Sequence, residues 1–223
     1  MAAKKKERGQ DLEAEIAGRE HETCVIRAPN LQHATFKIVG TSPLMINAFP
    51  SKARAQMKAK QEAGSKGRKG VAREAKDFQA CYEGAFHRSR EGWAGIAAPS
   101  FRNAMISACR LVGFKMTIAK LSVFACADGF DVTDGMPLVR IYGDPIYTEM
   151  PVRNESGVAD IRARPMWPEW SCNLRVKYDA DQFTAADVAN LVLRAGEQVG
   201  VGEARHDSKK SAGLGYGCFA FAK

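Results

Sequence analysis

Alternating apolar and polar positions mark the first core element at His33–Val39. Ala34, Phe36 and Ile38 share one face; His33, Thr35 and Lys37 share the other. Gly40-Thr41-Ser42-Pro43 ends the run. The spacing then predicts a helix over Pro99–Val112. Phe101, Met105, Ala108 and Val112 form its apolar stripe, Arg102, Asn103 and Arg110 lie towards the other side, and Gly113 stops it. Pro99 suits the first turn of such a helix. Lys120–Cys126 reads as a second strand, with Leu121, Val123 and Ala125 opposite Lys120, Ser122 and Phe124. Ser171–Tyr178 alternates most cleanly: Cys172, Leu174, Val176 and Tyr178 oppose Ser171, Asn173, Arg175 and Lys177. A second helix starts at Thr184, with Asp187 at capping-box spacing and a stripe of Val188, Leu191, Val192, Ala195 and Val199. Cys218–Phe221 is a last apolar strand. The order β-α-β-(insertion)-β-α-β predicts an α+β fold with a ferredoxin-like, RRM-like core: an antiparallel sheet with two helices on one face.

The segments between these elements have a different character. Residues 1–32 read as a basic N-terminal arm and 33–223 as one domain with two insertions. The first, at about 50–95, begins as a basic finger-like segment carrying Lys52, Arg54, Lys58, Lys60, Lys66, Arg68, Lys69, Arg73 and Lys76 against only Glu62 and Glu74 within 51–76. Gly64, Gly67 and Gly70 confine any helix there to about 52–63 and 71–80. Ala80–Ala97 reads as a hairpin bearing Tyr82, Phe86, Trp93 and Ile96. The second insertion, 128–168, holds short strand-like pieces at 138–142, 146–152 and 159–166, and reads as a β-rich protrusion.

Charge turns this outline towards function. The 223 residues include 33 Lys and Arg against 25 Asp and Glu, a formal net charge of +8, which favours an anionic partner, most often nucleic acid. The sheet face left uncovered by the helices carries His33, Thr35, Lys37, Lys120, Ser122, Phe124, Asn173, Arg175 and Lys177. Cations there track a backbone and a ring stacks on a base, which suits a single strand. A glycine loop before the last strand, with Gly200, Gly202, Gly213, Gly215 and Gly217 around Arg205, His206, Lys209 and Lys210, offers N–H groups and cations to phosphate oxygens. No run of about 18 apolar residues suggests a membrane span. The cysteines at 24, 81, 109, 126, 172 and 218 form no C-x-x-C pair, and read as small hydrophobes of a reducing cytoplasm.

Three segments resemble the RAMP superfamily of CRISPR-associated proteins, especially its Cas7-like subunits. Val39-Gly40-Thr41-Ser42-Pro43-Leu44-Met45-Ile46 looks like the family's first strand and "sPLhI" turn. Ile96-Ala97-Ala98-Pro99-Ser100-Phe101-Arg102-Asn103-Ala104 with Arg110 is similar to its "IPgSSlKGalR" segment, and 200–217 to its glycine-rich loop. The chain departs from the pattern at Asn103, where Gly is usual, at Arg102 for Lys, and at Ala97-Ala98 for Pro-Gly. It also looks like phage and prophage proteins with a comparable C-terminal pattern, which points to a divergent, phage-borne or stand-alone member in the cytoplasm of a bacterial host. The resemblance implies a protomer that binds single-stranded RNA or DNA and stacks into a filament without cutting it. It further implies a thumb at 128–168 with Met150, Met166 or Trp167 as a wedge. Candidate strand contacts are then Lys52, Arg54, Lys58, Lys60, Lys66, Arg68, Lys69, Arg73, Arg102, Arg175, Lys177, Gly202, Arg205, His206, Lys209, Lys210, Gly213 and Gly215. No metal or cofactor is expected. Two alternatives stand beside this reading. One is a phage protein that mimics or inserts into a CRISPR complex. The other is a metal-independent endoribonuclease, for which His206, among His21, His33, His87 and His206, is the candidate acid or base; Asp160 and Asp207 have no spacing that singles them out.

Overall fold

The computed structural model describes residues 27–48, 76–153, 159–207 and 213–223, together with Ala55 and Ala59. The expectations for Lys52, Arg54, Lys58, Lys60, Lys66, Arg68, Lys69, Arg73, Lys209 and Lys210 lie outside the described residues. In chain order come β1 (Leu31–Gly40), β2 (Leu44–Met45), α1 (Phe78–Glu83), β3 (His87–Arg88), β4 (Ala94–Ala97) and α2 (Ala98–Ala108). A 3-10 turn (Cys109–Val112) leads to α3 (Met116–Ser122), β5 (Val123–Ala125), β6 (Gly129–Phe130) and β7 (Pro137–Arg140). Then follow β8 (Ile146–Arg153), β9 (Ala159–Trp167), β10 (Ser171–Asp179), α4 (Ala185–Arg194), a π turn (Ala195–Val199) and β11 (Phe219–Phe221).

The fold is mixed α+β with antiparallel sheets. Its central sheet has the order β11-β1-β10-β5, and every neighbouring pair is antiparallel. The β1–β10 register sets Ile38 opposite Cys172, Phe36 opposite Leu174 and Ala34 opposite Val176. Because strand side chains alternate, that whole set faces one way. Phe101, Met105, Val188 and Val192 join this set in a single buried core, and Phe101 meets Phe219 edge-on at 5.8 Å. Both long helices therefore cover the same side of the sheet. The start of α4 follows from a capping box: Thr184 Oγ accepts from the Asp187 N–H, and the Asp187 carboxylate accepts from the Thr184 N–H. The Thr184 hydroxyl and N–H hold that carboxyl below its usual range. Thr184→Ala is expected to cost about 1 kcal/mol, read as a lower urea midpoint at unchanged slope.

Several elements differ from the sequence expectation. The second strand shrinks to Val123–Ala125, because Met116–Ser122 is helical and buries Ala119 and Ser122 one turn apart. Lys120 and Ser122 therefore leave the sheet face. Residues 80–83 belong to α1, whose first turn is capped by Asp77 accepting from the Ala80 N–H, so the hairpin begins only at His87. Val112 is half exposed, since the helix tightens into a 3-10 turn before Gly113 and its last residues rotate off the core. Within 128–168, β7 pairs with β4 and β6 with β7, in the sheet order β3-β4-β7-β6, and only β8 and β9 make a long hairpin, which pairs with β2 through β9. Trp167 is fully buried and Met150 packs with Met45 and Ala204, so neither presents a wedge to solvent. Among the described residues no helix is long and apolar enough to cross a membrane.

Candidate functional site

On the helix-covered side lies a cleft of about 290 Å³. Ile46 and Asn47 reach it from beyond β2, Ile96, Ala97 and Ser100 from the β4–α2 junction, and Gly202, Glu203 and Arg205 from the glycine loop. Each of the three segments quoted above for their resemblance thus supplies part of one wall. Arg205 stands between this cleft and a smaller hollow of about 100 Å³ lined by Ser100, Asn103, Ser107 and Asp207. Its guanidinium donates to the Gly202 carbonyl at 2.9 Å. The first turn of α2 has no side-chain cap, so the N–H groups beside Ser100 lack the usual Ser, Thr, Asp or Asn acceptor.

His87 also lines the cleft, and sequence reasoning gave it no role. Its Nδ1 lies 2.9 Å from a carboxylate oxygen of Asp131, which is 3 % exposed. The carboxylate also accepts from the Thr133 N–H. Such a partner fixes the imidazole's orientation. Glu203 brings a carboxylate to the same cleft, but Arg162 and Arg164 hold one oxygen each, at 3.1 and 2.9 Å. The two arginines neutralise it, leaving Arg205 as the cation that dominates the cleft.

The glycine loop is built differently from an open phosphate cradle. The N–H groups of Gly200, Val201, Glu203, Tyr216 and Gly217 donate to the carbonyls of Ala195, Gly217, Met45, Ala204 and Pro43, and the Cys218 N–H donates to the Ser42 hydroxyl. Glycine is required because the backbones nearly touch. A Cβ on Gly217 would fall 1.8 Å from the Val201 carbonyl oxygen, and one on Gly202 would fall 2.4 Å from that of Met45. The loop's contribution to an anion is thus the side chain it aims, Arg205. The exposed His206 ring lies against Gly215, while no described residue lies within 4 Å of a Cβ added at Gly213.

Asp207 anchors the loop to α2. Its carboxylate accepts from Arg110 at 2.5 Å. The Ser107 hydroxyl, and after it the Arg110 guanidinium, hold the carboxyl below the usual carboxylate range. A lowered folded value means that the tether stabilises the fold above the unfolded carboxyl's pKa, near 3.9, and is lost as pH falls through the lower folded value. Asp207→Asn is therefore expected to lower the urea midpoint at pH 6. That gap to the wild type should close as pH falls through about 4 and below.

Arg102, Arg175 and Lys177 gather elsewhere. The register places His33 opposite Lys177, Thr35 opposite Arg175, Lys37 opposite Asn173, and Phe124 beside Lys177, all on the uncovered sheet face. Arg102 reaches the rim of that face, donating to the Lys120 and Val123 carbonyls. This face and the glycine loop lie on opposite sides of the sheet. Arg175 and Lys177, expected together with Arg205 among the contacts of one strand, therefore lie on a different surface from it. The reason is that the loop packs against α2, which covers the other face. Among the described residues no group of three or more His, Cys, Asp or Glu is arranged to hold a metal ion. Compared with known proteins, the chain matches no protein-family model, and no curated protein sequence matches it.

Proposed function

We propose that the chain is a Cas7-like RAMP protein that binds single-stranded RNA or DNA as a non-catalytic filament subunit in the bacterial cytoplasm, holding the strand's phosphates in the cleft around Arg205. The observation that carries this reading is the convergence of the three resembling segments on one cationic cleft. Counting only β1, β5, β10 and β11, the central sheet has the order fourth, first, third, second, with α2 and α4 in the two crossovers. That supports reading the core as ferredoxin-like. Arg205, the open first turn of α2 and the hydroxyl of Ser100 are donors suited to phosphate oxygens. The β8–β9 hairpin, tied to the loop through Arg162, Arg164 and Glu203, is the nearest counterpart of a thumb.

The test begins with the protein as purified. Co-purifying nucleic acid that nuclease removes, with filaments in negative stain that disperse on the same treatment, supports the reading. A protein partner retained after nuclease treatment supports the interaction-protein alternative instead. One observation favours the endoribonuclease alternative in a new form: His87, oriented by Asp131 in the cleft, is better placed for acid–base work than His206. On that reading labelled RNA is cut by the wild type, and the cutting is lost in His87→Ala but kept in His206→Ala.

A further inference from the structure

The uncovered face of the central sheet shares no residue with the cleft and has its own cationic and aromatic pattern. Its cations are Lys37, Arg175, Lys177 and, at the rim, Arg102. Its carboxylates are already engaged: Asp128 pairs with Arg175 at 3.4 Å, and Asp179 accepts from the Asp181 N–H. Phe124 lies among the cations, with the Lys177 ammonium 5.1 Å and the Arg102 guanidinium 5.4 Å from its ring centre. Lys37 and Arg175 are exposed, and Phe124 and Lys177 are half-buried, so the ring is held in place while its surroundings stay open.

We propose that this face is a second contact surface for single-stranded nucleic acid, separate from the cleft, in which a base stacks on Phe124, the adjoining phosphate meets Lys177, and a phosphate further along the strand meets Lys37. Charge complementarity selects an anion, and the aromatic selects one with flat apolar rings. An acidic peptide satisfies the first condition alone. The flexible Lys177 head leaves the ring as a base arrives and moves to the adjoining phosphate, a short displacement for an ammonium on a four-carbon stem. Arg102, tied to backbone carbonyls, keeps its place beside the ring. This proposal does not rest on the cleft.

The experiment uses the full chain and an oligonucleotide of about 12 nucleotides, within the usual site size of one single-strand-binding domain, carrying a photoreactive 4-thiouridine. The expected result is a cross-link to the peptide containing Phe124. Phe124→Leu with Lys177→Ala should weaken binding about tenfold, also when Arg205 is replaced by glutamate, and Phe124→Tyr should retain it. Polyglutamate at equal charge should not compete for the cross-link. The proposal is overturned if Phe124→Leu with Lys177→Ala binds like the wild type, if the cross-links lie only in 96–100 and 200–207, or if polyglutamate competes fully. In the second case the cleft reading survives alone. If Arg205→Glu changes nothing while Phe124 cross-links, the cleft reading fails and this one stands. If no cross-link forms and no variant alters binding, both fail.

Discussion

Arg205→Glu is expected to weaken binding of a single-stranded oligonucleotide about 30-fold or more near physiological salt. A charge-assisted hydrogen bond contributes about 1.5–3 kcal/mol, and reversal adds repulsion between the new carboxylate and the phosphate. The same change should flatten the plot of log affinity against log salt by about one unit, because one fewer counterion is released. It should act alike on all sequences, as phosphate contacts do. Arg205→Lys separates charge from geometry: it keeps most of the salt slope while losing the guanidinium's fork and its bond to the Gly202 carbonyl. Thermal melts of both variants check that the loop stays folded. The cleft reading is wrong if fluorescence anisotropy gives equal affinities for Arg205→Glu and wild type.

Gly217→Ala should be among the most damaging single substitutions in the chain. The residue has φ of 71°, and its Cβ would collide with the Val201 carbonyl, which accepts no displacement without breaking the pairing of Val201 and Gly217. A left-handed non-glycine costs about 1–2 kcal/mol, and forcing atoms into a packed site about 1–3 more. A loss of at least about 3 kcal/mol is expected by urea unfolding. Gly213→Ala provides the contrast. Its φ of 66° is similar, but no described residue lies within 4 Å of an added Cβ. It should cost only about 1–2 kcal/mol. Equal costs for the two would show that the loop is held by backbone conformation alone, without the close packing described above.

The contrast explains what the sequence could and could not reveal. The β10 strand and the α4 helix were legible because long periodic patterns carry their own evidence. Cys172, Leu174, Val176 and Tyr178 are buried, as are Val188, Leu191, Val192, Ala195 and Val199. Residues 116–122 were not, since a helix of two turns places apolar residues no differently from a short strand. The glycines of the loop were legible as a special backbone, but not their purpose. The N–H groups that composition offers to a phosphate are taken by Pro43, Met45 and Ser42, which adjoin the loop only in the folded chain. His87 and Asp131 were invisible for a related reason. They lie 44 residues apart, and the pairing of β3, β4, β7 and β6 unites them. The separation of Arg205 from Arg175 and Lys177 was hidden for a topological reason: neither charge nor periodicity reveals that the glycine loop packs against α2, which covers the other side of the sheet.

Amide hydrogen exchange of the full chain, with and without a saturating single-stranded oligonucleotide, tests the central claim most directly. The account predicts slower exchange in the peptides spanning 96–103 and 200–207, where the open first turn of α2 and the Arg205 loop enclose the cleft. Unchanged exchange in both segments, under conditions where the oligonucleotide is demonstrably bound, contradicts it.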